Sequence, residues 1–469
     1  MREGNDYSAM ATAAALAIDY RAHIAAASRT PTADYATMIA ALGGPTPEQG
    51  SDGHAIITDL VARAAPGIRA STAGRFFGWV IGQSHPTGVA ADWLTAAWGQ
   101  NAGNVVAAPA ASAVEAVAAG WLLDLLGLPA QASVGFVTGA TVANFVCLAA
   151  ARNEVLRCMG WDVEADGLFG APPVAVLIGA DAHSTVYSAL RYLGFGAKRV
   201  RTIATDAAGR MEASAFAEAL SEQTGPTIAI TQAGQINTGV SDPFAEIAPR
   251  ARDHGTWLHV DGAFGLWART CAEKAGLLAG VEQADSWATD GHKWLQTPYD
   301  CGFAIVRNEA AHRRAMEIVT SYLPGAGAGE RDPSAYVPEL SRRARGFATW
   351  AMIRQLGRSG IGDLVGRHCR IAAFMAAALS AEDGVTLVCP VELNQFMLRF
   401  GPEADIQSDD MTRAVIDQVQ TDAIAFIGGA SWRGMWVMRV SVTSAATDGA
   451  EAETTVAAVL DAFRRVRAR

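Results

Sequence analysis

Two residues of complementary chemistry, Asp261 and Lys293, each follow a short apolar stretch of the chain. Residues 257–261 read WLHVD, and residues 284–290 read ADSWATD and lead into Gly291-His292-Lys293. Short apolar runs bounded by polar or glycine-containing segments predict buried strands. Because open α/β sheets bind ligands at the carboxyl ends of their strands, we expect the acid and the lysine to share one active site.

A lysine used together with an acid is typical of pyridoxal phosphate chemistry. The lysine holds the cofactor as a Schiff base, and the acid pairs with the nitrogen of the pyridine ring, which keeps the ring an electron sink. A solvated lysine or a strand-end aspartate would explain either residue alone. The pair is harder to explain in this way, because Lys293 stands among His292 and Trp294 with Asp290 as the one charge beside it. We predict pyridoxal 5'-phosphate as the cofactor, held by Lys293 and Asp261.

The same two stretches carry a family resemblance. HVDGAFG at 259–265 followed by SWATDGHKWL at 286–295 closely resembles the group II pyridoxal-phosphate decarboxylases, which include aromatic amino acid, histidine and glutamate decarboxylases. The usual sequence motifs of that family are HVDAA followed by Asn-x-HKW. Gly262 stands where most members have Ala, and Asp290-Gly291 where many have Asn-Pro, and we expect neither change to touch a reacting group. The resemblance implies a fold-type-I pyridoxal enzyme, a homodimer with active sites at its interface.

The resemblance also assigns further cofactor contacts. After a strand predicted at 135–138, Ala140 and Thr141 open a helix and match the stretch that holds the cofactor phosphate; a helix N-terminus attracts anions, although a plain N-cap explains the same residues. DAHSTVYSALRYLG at 181–194 gives His183 the role of stacking on the ring and placing a proton donor near the substrate carboxylate. The remaining implied contacts are Asn237 or Gln235, at the position that contacts the phenolic oxygen, and Ala263 and His292 within the two motifs.

Two loops carry the expected substrate contacts and the expected proton donor. In GRFFGWVIGQSHP at 74–86, aromatic residues alternate with glycines, and the resemblance places Trp79, Val80 and His85 against the substrate; packing of aromatic rings under a loop explains the pattern equally well. The segment 318–336 matches the catalytic loop, whose tyrosine protonates the product carbon. Tyr322 takes this role, with Tyr336 as the alternative.

Strand and helix signals alternate from about 133 to 306, which predicts an α/β fold with a mostly parallel sheet in a large domain. After residue 361 the order of elements predicts a separate small α+β domain. We therefore expect an N-terminal helical arm at 1–73, a large cofactor-binding domain at 74–360 and a C-terminal domain at 361–469.

The amino-acid composition disfavours several classes of binding partner. The 469 residues carry a net charge of −10, which argues against nucleic acid or an anionic membrane. The region 105–128 is apolar but contains Glu115 and Asp124, so we expect no membrane span. Six cysteines lack metal-ligand spacing, which predicts no metal site and reduced thiols in the cytoplasm.

The activity that follows is decarboxylation of an L-amino acid to its amine and carbon dioxide. Phe76, Phe77, Trp79 and Trp98 favour a substrate with an aromatic or bulky apolar side chain, while His85 and Arg75 leave an acidic substrate side chain open.

An aldehyde synthase, an aminotransferase or a retro-aldol lyase would use the same Lys293 and Asp261. A non-catalytic pyridoxal-binding or scaffold protein is disfavoured, because Asp261, Lys293 and His183 are all present. A dinucleotide oxidoreductase is disfavoured, because the chain has no GxGxxG turn after an early strand.

Overall fold

Helices form the N-terminal part of the chain. The computed structural model describes residues 7–318, 327, 329–401 and 406–469. The helices that precede the first strand are α1 (Ser8–His23), α2 (Tyr35–Leu42), α3 (Gly53–Ala64), α4 (Pro86–Trp98) and α5 (Pro109–Leu126). Asp34 and Asp52 start α2 and α3, because their carboxylates accept the backbone N–H groups of Thr37 and Ala55 at 2.8 and 2.9 Å. The helices α1, α2 and α3 lie within the range 1–73, and the N-terminal arm and its boundary stay predictions.

A seven-stranded sheet forms the centre of the molecule. Its strands are β1 (Ser133–Val137), β2 (Ala175–Gly179), β3 (Val200–Ile203), β4 (Thr227–Gln232), β5 (Trp257–Asp261), β6 (Ser286–Asp290) and β7 (Gly302–Val306). The helices between and after them are α6 (Ala140–Arg157), α7 (Val163–Asp166), α8 (Ser184–Tyr192), α9 (Ala213–Ser221), α10 (Phe244–Asp253) and α11 (Glu309–Met316). The strand order is β1-β7-β6-β5-β4-β2-β3. All neighbours are parallel except β7, which is antiparallel to β1 and β6.

The central strands are buried from end to end. Every residue of β4, β5 and β6 is buried, as expected for parallel strands covered on both faces. One apolar core, with Phe216 and Trp267, fills one face of the sheet, and a second, with Val146 and Leu190, fills the other. Asp261 and Asp290 are the last residues of the buried strands β5 and β6.

The C-terminal part has its own sheet. The helix α12 (Gly346–Ser380) leads into it and is interrupted at Gly357, which has φ 63° and ψ 175°. The remaining elements are β8 (Val385–Leu387), β9 (Gln395–Phe400), α13 (Ile406–Asp422), β10 (Gly428–Trp432), β11 (Met435–Ser441) and α14 (Gly449–Arg467). The four strands are antiparallel in the order β10-β11-β9-β8. The α/β class with a mostly parallel sheet and a small α+β unit is confirmed, whereas the boundary predicted at 360 falls inside α12 and stays a prediction.

Among the described residues, α5 is long and apolar enough to cross a membrane by length and composition. Half of the helix is buried in this fold. Its Glu115 is fully buried and accepts a hydrogen bond from Arg342 at 2.6 Å. This pattern is typical of a core helix, and composition alone is weak grounds for a membrane span.

Candidate active site

A cavity of about 310 Å³ lies at the carboxyl ends of β4, β5 and β6, the edge at which open α/β sheets bind ligands. Its size is at the lower end of the range of small-molecule sites. The residues predicted from the sequence that line it are Lys293, Asp261, Ala263, His183, Ala140, Thr141 and His292. The structure thus brings the predicted acid and lysine into one cavity.

Lys293 supplies the amine of the cavity. The chain contains three lysines, Lys198, Lys274 and Lys293, and of these Lys293 alone lines the cavity. Lys198 is exposed, and Lys274 donates a hydrogen bond to the carbonyl oxygen of Glu392 at 2.8 Å. Lys293 is therefore the one lysine placed to hold a carbonyl cofactor here.

Asp290 contacts this lysine directly. Its Oδ2 lies 3.0 Å from Nζ of Lys293, and its Oδ1 accepts the backbone N–H of Ala140 at 2.6 Å and lies 3.6 Å from Nε2 of His292. The expectation that the Asp290-Gly291 change touches no reacting group is wrong. The last residue of β6 reaches the lysine because the two residues lie three positions apart, with a turn between them.

Asp261 is the buried acid opposite Lys293. Its Oδ1 accepts the backbone N–H of Ala263 at 3.2 Å. Burial raises the pKa of Asp261, and the nearby His183 and Lys293 oppose this rise. A buried carboxylate of this kind gains stability from a cationic partner such as a protonated ring nitrogen.

His183 has a defined tautomer. It forms the N-cap of α8, where its Nδ1 accepts the backbone N–H of Thr185 at 3.3 Å and lies 2.7 Å from the Thr185 hydroxyl oxygen. Burial lowers the pKa of His183, with a smaller opposing influence from Asp261. The imidazole is therefore neutral at pH 7 with its proton on Nε2, which leaves Nε2 as a hydrogen-bond donor.

The N-terminus of α6 presents backbone donors at the edge of the cavity. The backbone N–H groups of Thr141 and Val142 have no acceptor in the part of the chain that the structure describes, as is usual for the first turn of a helix. A side chain at Gly139 would place Cβ 3.1 Å from the His292 ring and 3.3 Å from Asp290, so glycine avoids a tight contact with both side chains. Free donors, the helix dipole, an amine and a buried acid in one cavity fit pyridoxal phosphate.

The aromatic loop lies beside this cavity without lining it. The N–H of Gly82 donates to the carbonyl oxygen of His292 at 3.1 Å, and a Cβ at Gly82 would come within 2.3 Å of the carbonyl oxygen of Lys293. Trp79 is 55% exposed and packs on Phe426, with ring centroids 5.4 Å apart. Val80 is buried in the core, and His85 caps α4 by accepting the N–H of Thr87. The substrate contacts expected of these residues stay predictions.

Two further residues expected in the site, Asn237 and Tyr336, do not line the cavity described here. Asn237 is buried outside the cavity lining, where its N–H donates to Oε1 of Gln235 at 2.6 Å. Tyr322 lies outside the described residues. Tyr336 donates its hydroxyl to Glu309 and does not line the cavity.

Residues that the sequence analysis missed complete the site. Tyr299 and Phe264 line the cavity, as do Gln232 and Ile236. The Tyr299 ring stacks on His292 with centroids 4.2 Å apart, and burial raises the pKa of Tyr299 to about 12. Tyr299 could have been predicted from the sequence, because it lies in the TPYDC segment that follows the lysine motif.

Comparison with known proteins agrees with this geometry. The pyridoxal-dependent decarboxylase conserved domain matches residues 37–400. An aromatic-L-amino-acid decarboxylase of Bacillus atrophaeus is 26% identical over 435 residues, which cover 91% of this chain and 88% of the relative. A phenylacetaldehyde synthase of Arabidopsis thaliana is 25% identical over 410 residues, which cover 84% and 82%. The structure of Oryza sativa TDC with PLP and tryptamine superposes with a TM-score of 0.92 at 22% identity over 99% of both chains, which confirms the expected fold.

Proposed function

Because the chain belongs to the pyridoxal-dependent decarboxylase family, we propose that it converts an aromatic L-amino acid into the corresponding amine and carbon dioxide. The family establishes pyridoxal phosphate as the cofactor and loss of a carboxyl group as the reaction class. The observation that carries the proposal is the meeting of Lys293 and Asp261 in one cavity at the strand ends.

When bound, the cofactor accepts the electron pair left behind as the substrate carboxyl group departs. Lys293 supplies the amine that attaches the cofactor, and Asp261 holds a proton on the ring nitrogen. The free N–H groups at the start of α6 bind the phosphate. The donor Nε2 of His183 is available for the substrate carboxylate, and its neutral form avoids a second buried cation beside Lys293.

Arg439 is a second candidate contact for a substrate carboxylate. It projects from β11 and its guanidinium donates to the carbonyl oxygen of Ile236, a residue of the cavity lining, at 3.3 Å. No carboxylate of the described residues lies within ion-pair distance of Arg439, and burial lowers its pKa to about 10. A buried cation without an acidic partner favours binding of an anion.

The aromatic substrate class is supported by two observations. Phe264 and Tyr299 line the cavity and provide apolar faces against which an aromatic ring can pack. The relatives named above act, by their names, on aromatic amino acids or form an aromatic aldehyde. Turnover of glutamate or aspartate alone would contradict this substrate class and would reassign Arg439 to the side-chain carboxylate.

The product is the amine if Tyr322 delivers a proton to the carbon that loses the carboxyl group. An aldehyde synthase is the second candidate, because a 4-hydroxyphenylacetaldehyde synthase of Rhodiola rosea is 24% identical over 416 residues. Without a proton donor, oxygen would intercept the reaction and release ammonia and peroxide.

The proposal includes a homodimer in the cytoplasm. Large apolar side chains are exposed along the N-terminal helices, among them Ile18 at 62% and Tyr35 at 81%, and such a surface is typical of an interface. All six cysteines are free thiols, which suits a reducing compartment. Light scattering should give twice the chain mass.

The test follows four products together, carbon dioxide, amine, ammonia and peroxide, from purified protein and a panel of L-amino acids. Carbon dioxide and amine without ammonia from phenylalanine, tyrosine or tryptophan supports the proposal. Carbon dioxide with equal ammonia and peroxide supports the aldehyde synthase. Amino-group transfer without carbon dioxide contradicts both.

A further inference from the structure

The hairpin between β10 and β11 has a two-residue turn that departs from the usual turn chemistry. Trp432 pairs with Met435 across the turn, and the two residues between them, Arg433 and Gly434, have φ angles of 49° and 81°. A turn in which both central residues have positive φ favours asparagine, aspartate or glycine, because other side chains are strained there. Arginine is unfavourable at position 433, and a residue held under such strain points to a role for its side chain.

The Arg433 side chain reaches from the C-terminal sheet to the seven-stranded sheet. Its guanidinium lies 2.9 Å from Oδ2 of Asp181. It also donates to the hydroxyl oxygen of Thr205 at 3.1 Å and to the carbonyl oxygen of Asp206. The tip of the hairpin therefore contacts the segments that follow β2 and β3.

Asp181 anchors the segment that carries His183. It lies between the end of β2 and the histidine, and its carbonyl oxygen accepts the side-chain amides of Gln232 at 3.5 Å and Gln235 at 3.3 Å. His183 and Gln232 both line the cavity. Arg433 thus holds the carboxylate of a residue whose carbonyl oxygen is bonded to the cavity wall, two positions before the histidine.

We propose that Arg433 is a positioning residue for His183 and acts on it through Asp181. The inference rests on the role proposed for His183 beside the cofactor. The ion pair is partly exposed, with 36% of the Arg433 side chain and 20% of the Asp181 side chain accessible, and such pairs contribute little to overall stability. Because the turn would favour another residue, the contact serves the position of the histidine ring more than the free energy of unfolding.

A second ion pair joins the same two parts of the chain without contacting Asp181. Arg210 lies 2.6 Å from Glu392, which belongs to the segment between β8 and β9. The exposure of this pair is similar, at 31% for Arg210 and 29% for Glu392. Glu392→Gln therefore weakens the junction of the two parts while Arg433 keeps its contact with Asp181, which makes it the matched control.

The experiment compares Arg433→Asn, Arg433→Lys and Glu392→Gln with the wild type, each as the full chain. Urea unfolding measures stability. Titration of cofactor-stripped protein with pyridoxal 5'-phosphate, followed by absorbance, measures cofactor affinity. The same titration of His183→Asn and of the double variant with Arg433→Asn tests whether Arg433 acts through the histidine.

Arg433→Asn should keep a urea midpoint close to that of the wild type, because asparagine suits the turn and offsets the lost ion pair. It should bind the cofactor about two- to tenfold more weakly, as expected when an aromatic contact to the ring is displaced. Arg433→Lys retains a cation for Asp181 and should give an intermediate affinity. Glu392→Gln should match the wild type. Without His183, Arg433→Asn should cause no further loss of affinity.

Wild-type cofactor affinity in Arg433→Asn would overturn the inference. An equal loss in Glu392→Gln, or an undiminished effect of Arg433→Asn without His183, would also overturn it, because either result assigns Arg433 a general structural role. If Arg433→Asn does not fold, Asp181→Asn removes the same ion pair at equal size and should show the same pattern.

Failure of the proposed function gives different results. If wild-type protein does not bind pyridoxal 5'-phosphate, the cofactor assignment fails and this inference fails with it. Wild-type affinity in His183→Asn would remove the histidine from the cofactor site and would also overturn the inference. Because the titration contains no amino acid, neither result depends on which substrate the protein uses.

Discussion

The indole Nε1 of Trp294 donates a hydrogen bond of 2.9 Å to Nδ1 of His368. Trp294 follows the reactive lysine, and His368 lies on α12. Both side chains are fully buried. This bond joins the loop that carries Lys293 to the helix that leads into the C-terminal sheet, so the position of the lysine depends on that helix.

Replacing His368 by leucine should destabilise the protein. The buried indole N–H would lose its acceptor, at a cost of about 1–3 kcal/mol, and urea unfolding at pH 7 measures the loss. His368→Gln retains an acceptor and should lose less. Equal stability of His368→Leu and wild type would show that the bond contributes nothing.

His312 should make the protein sensitive to acid. Burial lowers the pKa of His312 to about 3, whereas an unfolded histidine has a pKa of about 6.5. Between these values the unfolded chain binds a proton that the folded chain does not, so stability falls as pH falls from about 6.5 towards 3, by up to about 1.4 kcal/mol per pH unit. His312→Gln should reduce the slope of unfolding free energy against pH by about this amount. An unchanged slope in His312→Gln would contradict this account.

Gly82→Ala should displace the lysine loop. Its Cβ would lie 2.3 Å from the carbonyl oxygen of Lys293 and 2.8 Å from that of His292, and backbone atoms cannot yield as a side chain can. We expect a loss of about 1–3 kcal/mol and weaker cofactor binding. Gly120→Ala is the matched control, because it lies within α5 with no atom within 4 Å of its Cβ, and should be neutral or stabilising. Wild-type stability and cofactor affinity in Gly82→Ala would contradict the contact.

Asp261→Asn should separate cofactor attachment from turnover. Lys293 is intact, so the protein should still acquire the cofactor absorbance. Loss of the charge that holds the ring proton should lower kcat by about 10² to 10³. Asp285→Asn, which changes a carboxylate outside the cavity, should retain wild-type kcat. A wild-type rate in Asp261→Asn would remove Asp261 from the proposed chemistry.

The sequence predicts the parts of the site that depend on strand ends. Asp261 and Lys293 follow apolar runs whose burial is readable, and parallel strands bring their carboxyl ends together. The strand β3 was not predicted from the sequence. This edge strand lacks an apolar run, because it contains the half-exposed Arg201 and the exposed Thr202. Asp290 and Lys293 are three residues apart, and their contact depends on the turn that follows β6. Arg439 reaches the site from a strand of the C-terminal sheet, and this approach follows from tertiary packing, which has no local pattern.

The attachment point of the cofactor is the central claim, and the small number of lysines makes it directly measurable. Protein loaded with pyridoxal phosphate is reduced with borohydride, digested and mapped by mass spectrometry, with Lys274→Ala as the control for Lys293→Ala. The account predicts the cofactor mass on Lys293 in wild type and Lys274→Ala, and no labelled peptide in Lys293→Ala. Label on Lys198 or Lys274, or label retained in Lys293→Ala, would contradict it.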